Sequence, residues 1–260
     1  MQALMLAALL LNAVAAAPSD EVVAQFEERT FDVPGAQPPR QVRYRLLKPA
    51  VIEPGKKYPA VLFLHGAGER GDDNRKQLLY FPEWMTRSEW REKYPCYLIV
   101  PQCPSEKWWS GTRRPSEKPA DPPVATPPAE SEIALDILQS LSKEFPIDSK
   151  RLYLTGLSMG GYGSWMLAAK HPDLFAAVVP ICGGGDPATA AVLKDIPIWA
   201  VHGDADKVVP PAKSREMIDA VKAAGGSPQY TELPGVGHDS WTAAYNDPKG
   251  VLPWMFKQHK

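Results

Sequence analysis

Ser158 stands in Gly156-Leu157-Ser158-Met159-Gly160, a hydroxyl with a glycine two residues away on each side. Chance alone produces a G-x-S-x-G in roughly one chain in ten of this size, so its surroundings decide its weight. "SKRLYLTG" before it reads as a strand and "SWMLAAKHP" after it as a helix. Strand, tight turn and helix together lift a serine onto a strained backbone, with Oγ projecting from the edge of a sheet. Side chains at 156 and 160 would collide with that turn, and Gly161 and Gly163 let the helix lie close to its strand. The helix start then turns free N–H groups and its positive dipole end toward the serine.

A serine hydroxyl is a poor nucleophile without a base, and the base needs a group to fix its tautomer. The chain has five histidines. His259 is next to last, and His171 sits where the helix after Ser158 ends. His65 and His202 each close an apolar run in a His-Gly pair, which suggests loop-shaping roles. His238, in the glycine-rich "LPGVGHDSW", is the natural base. For the acid, "HGDADKVVP" offers Asp206, the preferred residue, and Asp204, while Asp239 is a neighbour of the histidine. The order serine, acid, histidine is that of α/β-hydrolases and differs from the two other familiar triad orders. Backbone N–H groups of Ala67 or Gly68, in "LFLHGAGERGDD", and of Met159 are expected to form an oxyanion hole.

These residues need a sheet to hold them. Residues 58–66, 95–102, 149–156, 175–185 and 196–206 are apolar runs of the type that forms strands covered on both faces. "RQVRYRLLKPA" alternates as a half-buried strand does, within a two-strand region over residues 22–50, and 228–239 is a weaker strand. Between them, positions 133, 134, 137, 138, 141 and 145 form one helical stripe with Ser131 placed to cap, and "SREMIDAVKAAGG" repeats the pattern. Strands alternating with helices predict an α/β fold, a mostly parallel sheet with helices on both faces.

Net charge is −1, so there is no basic excess to neutralise phosphates and nucleic acid is not an expected partner. Cys96 and Cys103 in "CYLIVPQC" are about 23 Å apart if that segment is a strand, too far for a disulfide. Scattered histidines and unpaired cysteine spacing imply no metal, and no cofactor is expected. The apolar run at residues 3–11 is too short to cross a membrane. Followed by small residues, it reads as a signal peptide over 1–17, ahead of one catalytic domain at 18–260 in a secreted or periplasmic monomer. Six of the 28 prolines fall in residues 110–130, a long loop at the carboxyl edge of the sheet that is either a surface excursion or one wall of a cleft.

Five motifs in order, "YPAVLFLHGAGERGDDN", "PQCPSEKWWSG", "GLSMGGYGSW", "HGDADKVVP" and "GVGHDSWTAAY", resemble the secreted α/β-hydrolases related to polyhydroxybutyrate depolymerases and feruloyl-type esterases. The resemblance spans about residues 40–257 and implies a carboxylic-ester hydrolase with Ser158, Asp206 and His238 as its triad. It implies the same oxyanion site near Ala67 or Gly68 and Met159, and it leaves a peptidase or an acyltransferase with the same triad as alternatives. A binding module on the same scaffold, without catalysis, is the alternative from another class. The substrate is then a small-molecule or polymer-borne ester. Trp108, Trp109, Trp241 and Tyr162 fall near the carboxyl edge and could hold a ring or pack the loops, and Arg70 is expected to pair with Glu69 or Asp72 or to stay solvated, ahead of meeting an anionic group of the substrate.

Overall fold

The computed structural model describes residues 17–110 and 129–260. The expected leader and the proline-rich segment therefore lie outside the described residues, apart from Ala17, Ser110, Ala129 and Glu130. Eight strands form one sheet: β1 (Glu27–Asp32), β2 (Gln41–Leu47), β3 (Tyr58–Leu64), β4 (Tyr97–Pro101), β5 (Ile147–Leu157), β6 (Ala177–Ile181), β7 (Trp199–Gly203) and β8 (Gln229–Leu233). Their spatial order is β1-β2-β4-β3-β5-β6-β7-β8. The β1–β2 and β2–β4 pairs are antiparallel, and every later pair is parallel. This is the predicted α/β class, and each apolar run became a strand.

All seven residues of β3 are buried, and alternation explains why. Ala60, Leu62 and Leu64 join one core with three long helices, α1 (Glu130–Glu144), α2 (Met159–Lys170) and α3 (Ala212–Ala223). Val61 and Phe63 face the other, with Phe81, Tyr245, Val251 and Met255 from short helices. The stripe of α1 buries Ile133, Ile137, Leu138 and Leu141, each worth about 2 kcal/mol relative to exposure.

Two local expectations are corrected. Ser131 does not cap α1: the helix begins at Glu130 after Ala129, so Ser131 is already inside its first turn and fully buried. Of residues 22–50, the start is helical, because Ser19 accepts the N–H of Val22 and caps a short helix over Asp20–Ala24.

The chain runs from β3 to β4 on one side, then returns to place β5 on the other side of β3. That reversal makes the carboxyl ends of β3 and β5 a topological switch point, where open α/β sheets bind ligands. Leu64 is in register with Gly156, so the turn after β3 and the turn after β5 lie side by side.

Candidate active site

Ser158 follows β5 directly with φ +52° and ψ −115°, a conformation that costs a non-glycine residue about 1–3 kcal/mol. Its neighbours hold it there: the Ser158 N–H donates to Ile181 O at 2.9 Å and Tyr162 N–H donates to Ser158 O at 3.1 Å. A Cβ on Gly160 would lie 1.7 Å from the carbonyl oxygen of Leu64, and one on Gly156 would lie 2.6 Å from the same atom. Both glycines are therefore dictated by the backbone of β3, which is why the hydroxyl can be aimed.

His238, on the loop after β8, brings Nε2 to 2.9 Å from Ser158 Oγ. Its Nδ1 is 2.7 Å from Asp206 Oδ2. With Nδ1–H donating to the carboxylate, Nε2 is free to accept the serine proton. Gly203 makes this approach possible: a Cβ there would meet the carbonyl of Val236 at 2.2 Å and that of Gly237 at 2.4 Å. Asp206 is three residues beyond β7, and its side chain has no solvent exposure. Burial alone would raise its pKa, but hydrogen bonds from His238 and from the N–H groups of Val209 and Val208 outweigh this and hold it below the ordinary value. Asp204 is exposed and accepts the Gly235 N–H at 2.7 Å, which braces the histidine loop. Asp239 accepts Thr242 N–H and Thr242 Oγ1–H. Of the two acids in "HGDADKVVP", the structure sets Asp206, the preferred one, against His238 and turns Asp204 to the Gly235 N–H.

Ala67 and Gly68 lie in a single 3-10 turn after β3. A Cβ on Gly66 would touch the Leu157 side chain at 2.8 Å, so this turn adjoins the residue before Ser158. Met159 is the first residue of α2, and its N–H has no partner within that helix. His65 anchors the turn. Its Nε2 accepts the Cys103 N–H at 3.0 Å, leaving Nδ1–H to donate to Gly66 O at 2.6 Å. Burial pushes its pKa down to about 4, so the ring is neutral.

Arg70 departs from expectation. Glu69 is buried, and its carboxyl is held by the N–H groups of Gly66 and Glu69 itself, while burial pushes its pKa up. The Arg70 guanidinium instead donates to Ala67 O at 2.9 Å and Lys107 O at 3.3 Å, and lies 4.7 Å over the Trp108 ring.

A cleft of about 410 Å³ runs beside α2 from Met159 and Tyr162 to Lys170, with Trp109 and Gly184 on the facing walls. The eleven residue steps from Met159 to Lys170 span about 16 Å. Of the four aromatic candidates, Tyr162 and Trp109 line this cleft. Trp109 is nearly fully buried and donates Nε1–H to His65 O at 2.9 Å, so it is a fixed wall. Trp241 is buried and meets the His238 ring edge to face, with centroids 5.4 Å apart. Trp108 and Trp241 are not among the described residues that line the cleft.

Two residues near the site carry no signal in the sequence. Tyr80, with φ +65°, rests on Trp241 at 5.3 Å between centroids. Cys182, with φ +40°, puts its thiol within 4.8 Å of the Asp206 carboxylate and a His238 nitrogen. Among the described residues these three could in principle hold a metal ion. Two of them are committed to each other, and burial pushes the Cys182 thiol up, away from the thiolate a metal needs.

Known proteins extend this picture. Residues 35–232 match the model of the Esterase family, described as "Putative esterase". The chain belongs to that family. A solved thermostable esterase superposes with a TM-score of 0.82 at 35% identity, over 92% of this chain and 64% of that one. Feruloyl esterase D of Neurospora crassa is 32% identical over 112 residues, 42% of this chain and 39% of that protein. Poly(3-hydroxyalkanoate) depolymerase C of Paucimonas lemoignei is 27% identical over 149 residues, 45% of this chain and 33% of that protein. The chain thus spans less than half the length of either curated relative. Family and fold agree with the resemblance read from the five motifs.

Proposed function

We propose that the protein hydrolyses carboxylic esters through an acyl-enzyme on Ser158. The carrying observation is the chain of short contacts from Ser158 Oγ through His238 to Asp206. Ser158 Oγ attacks the ester carbonyl carbon while its proton passes to His238 Nε2. The oxyanion forms against the N–H groups of Met159 and of the Ala67–Gly68 turn, each such donor worth about 3 kcal/mol of barrier. The C–O bond to the alcohol breaks as His238 returns the proton to the leaving oxygen, and water repeats the sequence to free the acid. The cleft beside α2 is lined by Met159, the residue after Ser158, which supports it as the site that holds one side of the ester, with Tyr162 and Trp109 against the substrate.

The test is hydrolysis of p-nitrophenyl esters from acetate to octanoate, with fluorophosphonate labelling, by the protein and by Ser158→Ala. The variant is expected to lose about 10⁶-fold in kcat and all labelling. Equal rates in both would remove Ser158 as nucleophile, and matched amides cleaved as fast as esters would favour a peptidase. Residues 1–17 are proposed as an export leader removed from the chain. A mature protein recovered from its host with Met1 in place would overturn that.

A further inference from the structure

His202, at the end of β7, is fully buried, and it touches the same carboxylate oxygen that His238 uses. Its Nε2 is 3.1 Å from Asp206 Oδ2 and 3.0 Å from Val209 O. Both of those atoms only accept, so Nε2 carries a proton. Its Nδ1 is 2.8 Å from Ser214 Oγ, which is itself 2.9 Å from Gly183 O. Burial lowers the His202 pKa despite the hydrogen bonds to Val209 and Asp206, so the ring is neutral with its proton on Nε2, and the single Ser214 hydroxyl proton is shared between Nδ1 and Gly183 O. Glu232, its register partner on β8, is committed to Arg215 at 2.7 Å. His238 faces it from the loop after β8, across Asp206.

Asp206 is thus held by three donors other than His238. Val208 N–H at 2.8 Å and Val209 N–H at 3.0 Å fix Oδ1, and His202 Nε2–H fixes Oδ2. We propose that His202 is a positioning residue of the triad, orienting the Asp206 carboxylate and limiting how strongly it supports the His238 imidazolium. The first effect follows from geometry: two donors fix Oδ1, and without His202 the only hold on Oδ2 is His238 itself, the ring that the carboxylate is meant to orient. The second follows from sharing, because a hydrogen bond donated to Oδ2 draws negative charge away from the bond to His238 Nδ1. Ser214 completes the device by holding the His202 ring in plane.

This inference rests on the hydrolase reading for its kinetic arm, and an arm without substrate keeps the two separable. His202→Leu, His202→Gln and Ser214→Ala are compared with the unaltered protein for kcat, KM and the acid limb of kcat/KM, and His238 is titrated directly by imidazole ¹⁵N NMR. His202→Leu is expected to lower kcat about 10- to 100-fold, the usual effect of losing an outer-shell partner, with KM within about twofold. The His238 titration should move up in pH, because an unshared Asp206 supports the imidazolium more strongly. His202→Gln, whose amide N–H reaches about as far as Nε2–H, should recover most of both effects. A folded His202→Leu with unchanged kcat and titration overturns the proposal, as does an equal kcat loss in both variants with no shift. If His202→Leu does not fold, Ser214→Ala decides, with a smaller upward shift expected and no shift refuting. Inactivity of the unaltered protein on every ester, together with the NMR shift in His202→Leu, would sink the hydrolase reading and leave the orientation of Asp206 by His202 standing.

Discussion

Asparagine in place of Asp206 keeps the shape of the side chain and reverses the polarity of one of its contacts. Oδ1 accepts Val208 N–H at 2.8 Å and Val209 N–H at 3.0 Å, so the asparagine must present its carbonyl oxygen there. The amide nitrogen is left where Oδ2 was, 2.7 Å from His238 Nδ1 and 3.1 Å from His202 Nε2. An amide nitrogen at that place donates. His238 then has to accept at Nδ1, which moves its proton to Nε2, the nitrogen that faces Ser158 Oγ. A protonated Nε2 takes no proton from serine.

The expected loss in kcat is about 10⁴-fold, the cost of the wrong tautomer in a triad of this type, or about 5–6 kcal/mol of barrier. Stability should fall only modestly, by about 1–3 kcal/mol. Both backbone hydrogen bonds survive, and His202 shifts its proton to Nδ1, donating to Ser214 Oγ while Ser214 donates to Gly183 O, but the Nε2–H bond to Val209 O is lost. Initial rates on p-nitrophenyl butyrate at neutral pH and the rate of fluorophosphonate labelling both read the effect, with thermal melting as the control. Asp204→Asn should stay within about fivefold of the unaltered protein, because an exposed asparagine carbonyl can still accept Gly235 N–H. A loss below tenfold in Asp206→Asn, or an equal loss in Asp204→Asn, would refute the assignment and the reasoning about Oδ1 together.

Gly160→Ala puts a methyl 1.7 Å from Leu64 O, and a strand backbone buried on both faces has nowhere to go. A loss of about 3 kcal/mol or more is expected, a fall of roughly 6–12 °C in melting temperature; a variant melting within 2 °C or so of the parent would show that β3 yields. His65 titrates near pH 6.5 when unfolded and about 4 when folded, so its folded pKa is depressed. As pH falls from 6.5 to 4, the unfolded chain takes a proton that the folded one refuses, and about 3 kcal/mol of stability is lost. Urea midpoints at pH 7, 5.5 and 4.5 should therefore fall more steeply for the protein than for His65→Gln, and parallel curves would count against a neutral, stapled His65.

What is legible in the sequence and what is not divide along the range of the forces involved. The glycines around Ser158 answer to a steric demand within a few residues, so their spacing alone announces the turn. The same is true of β3, whose unbroken apolar run states that both faces are covered. Trp109 shows the opposite case: an indole is equally suited to line a cleft or to fill a core, and only its bond to His65 O, 44 residues away, makes it a wall. Arg70 defeats local reading because its sequence neighbours are not its partners: Glu69 spends its carboxyl on backbone N–H groups, and the guanidinium turns to carbonyls. His202 is hidden most completely. A His-Gly pair at the end of a strand looks like punctuation, and nothing local distinguishes His65, which staples a loop, from His202, which touches the Asp206 carboxylate. The difference is made by what each meets across the fold: the Cys103 N–H for His65, Asp206 with Ser214 of α3 for His202. Identical sequence signals acquire different chemistry when the sheet sets them beside different partners, so tautomers and networks have to be read from contacts, atom by atom.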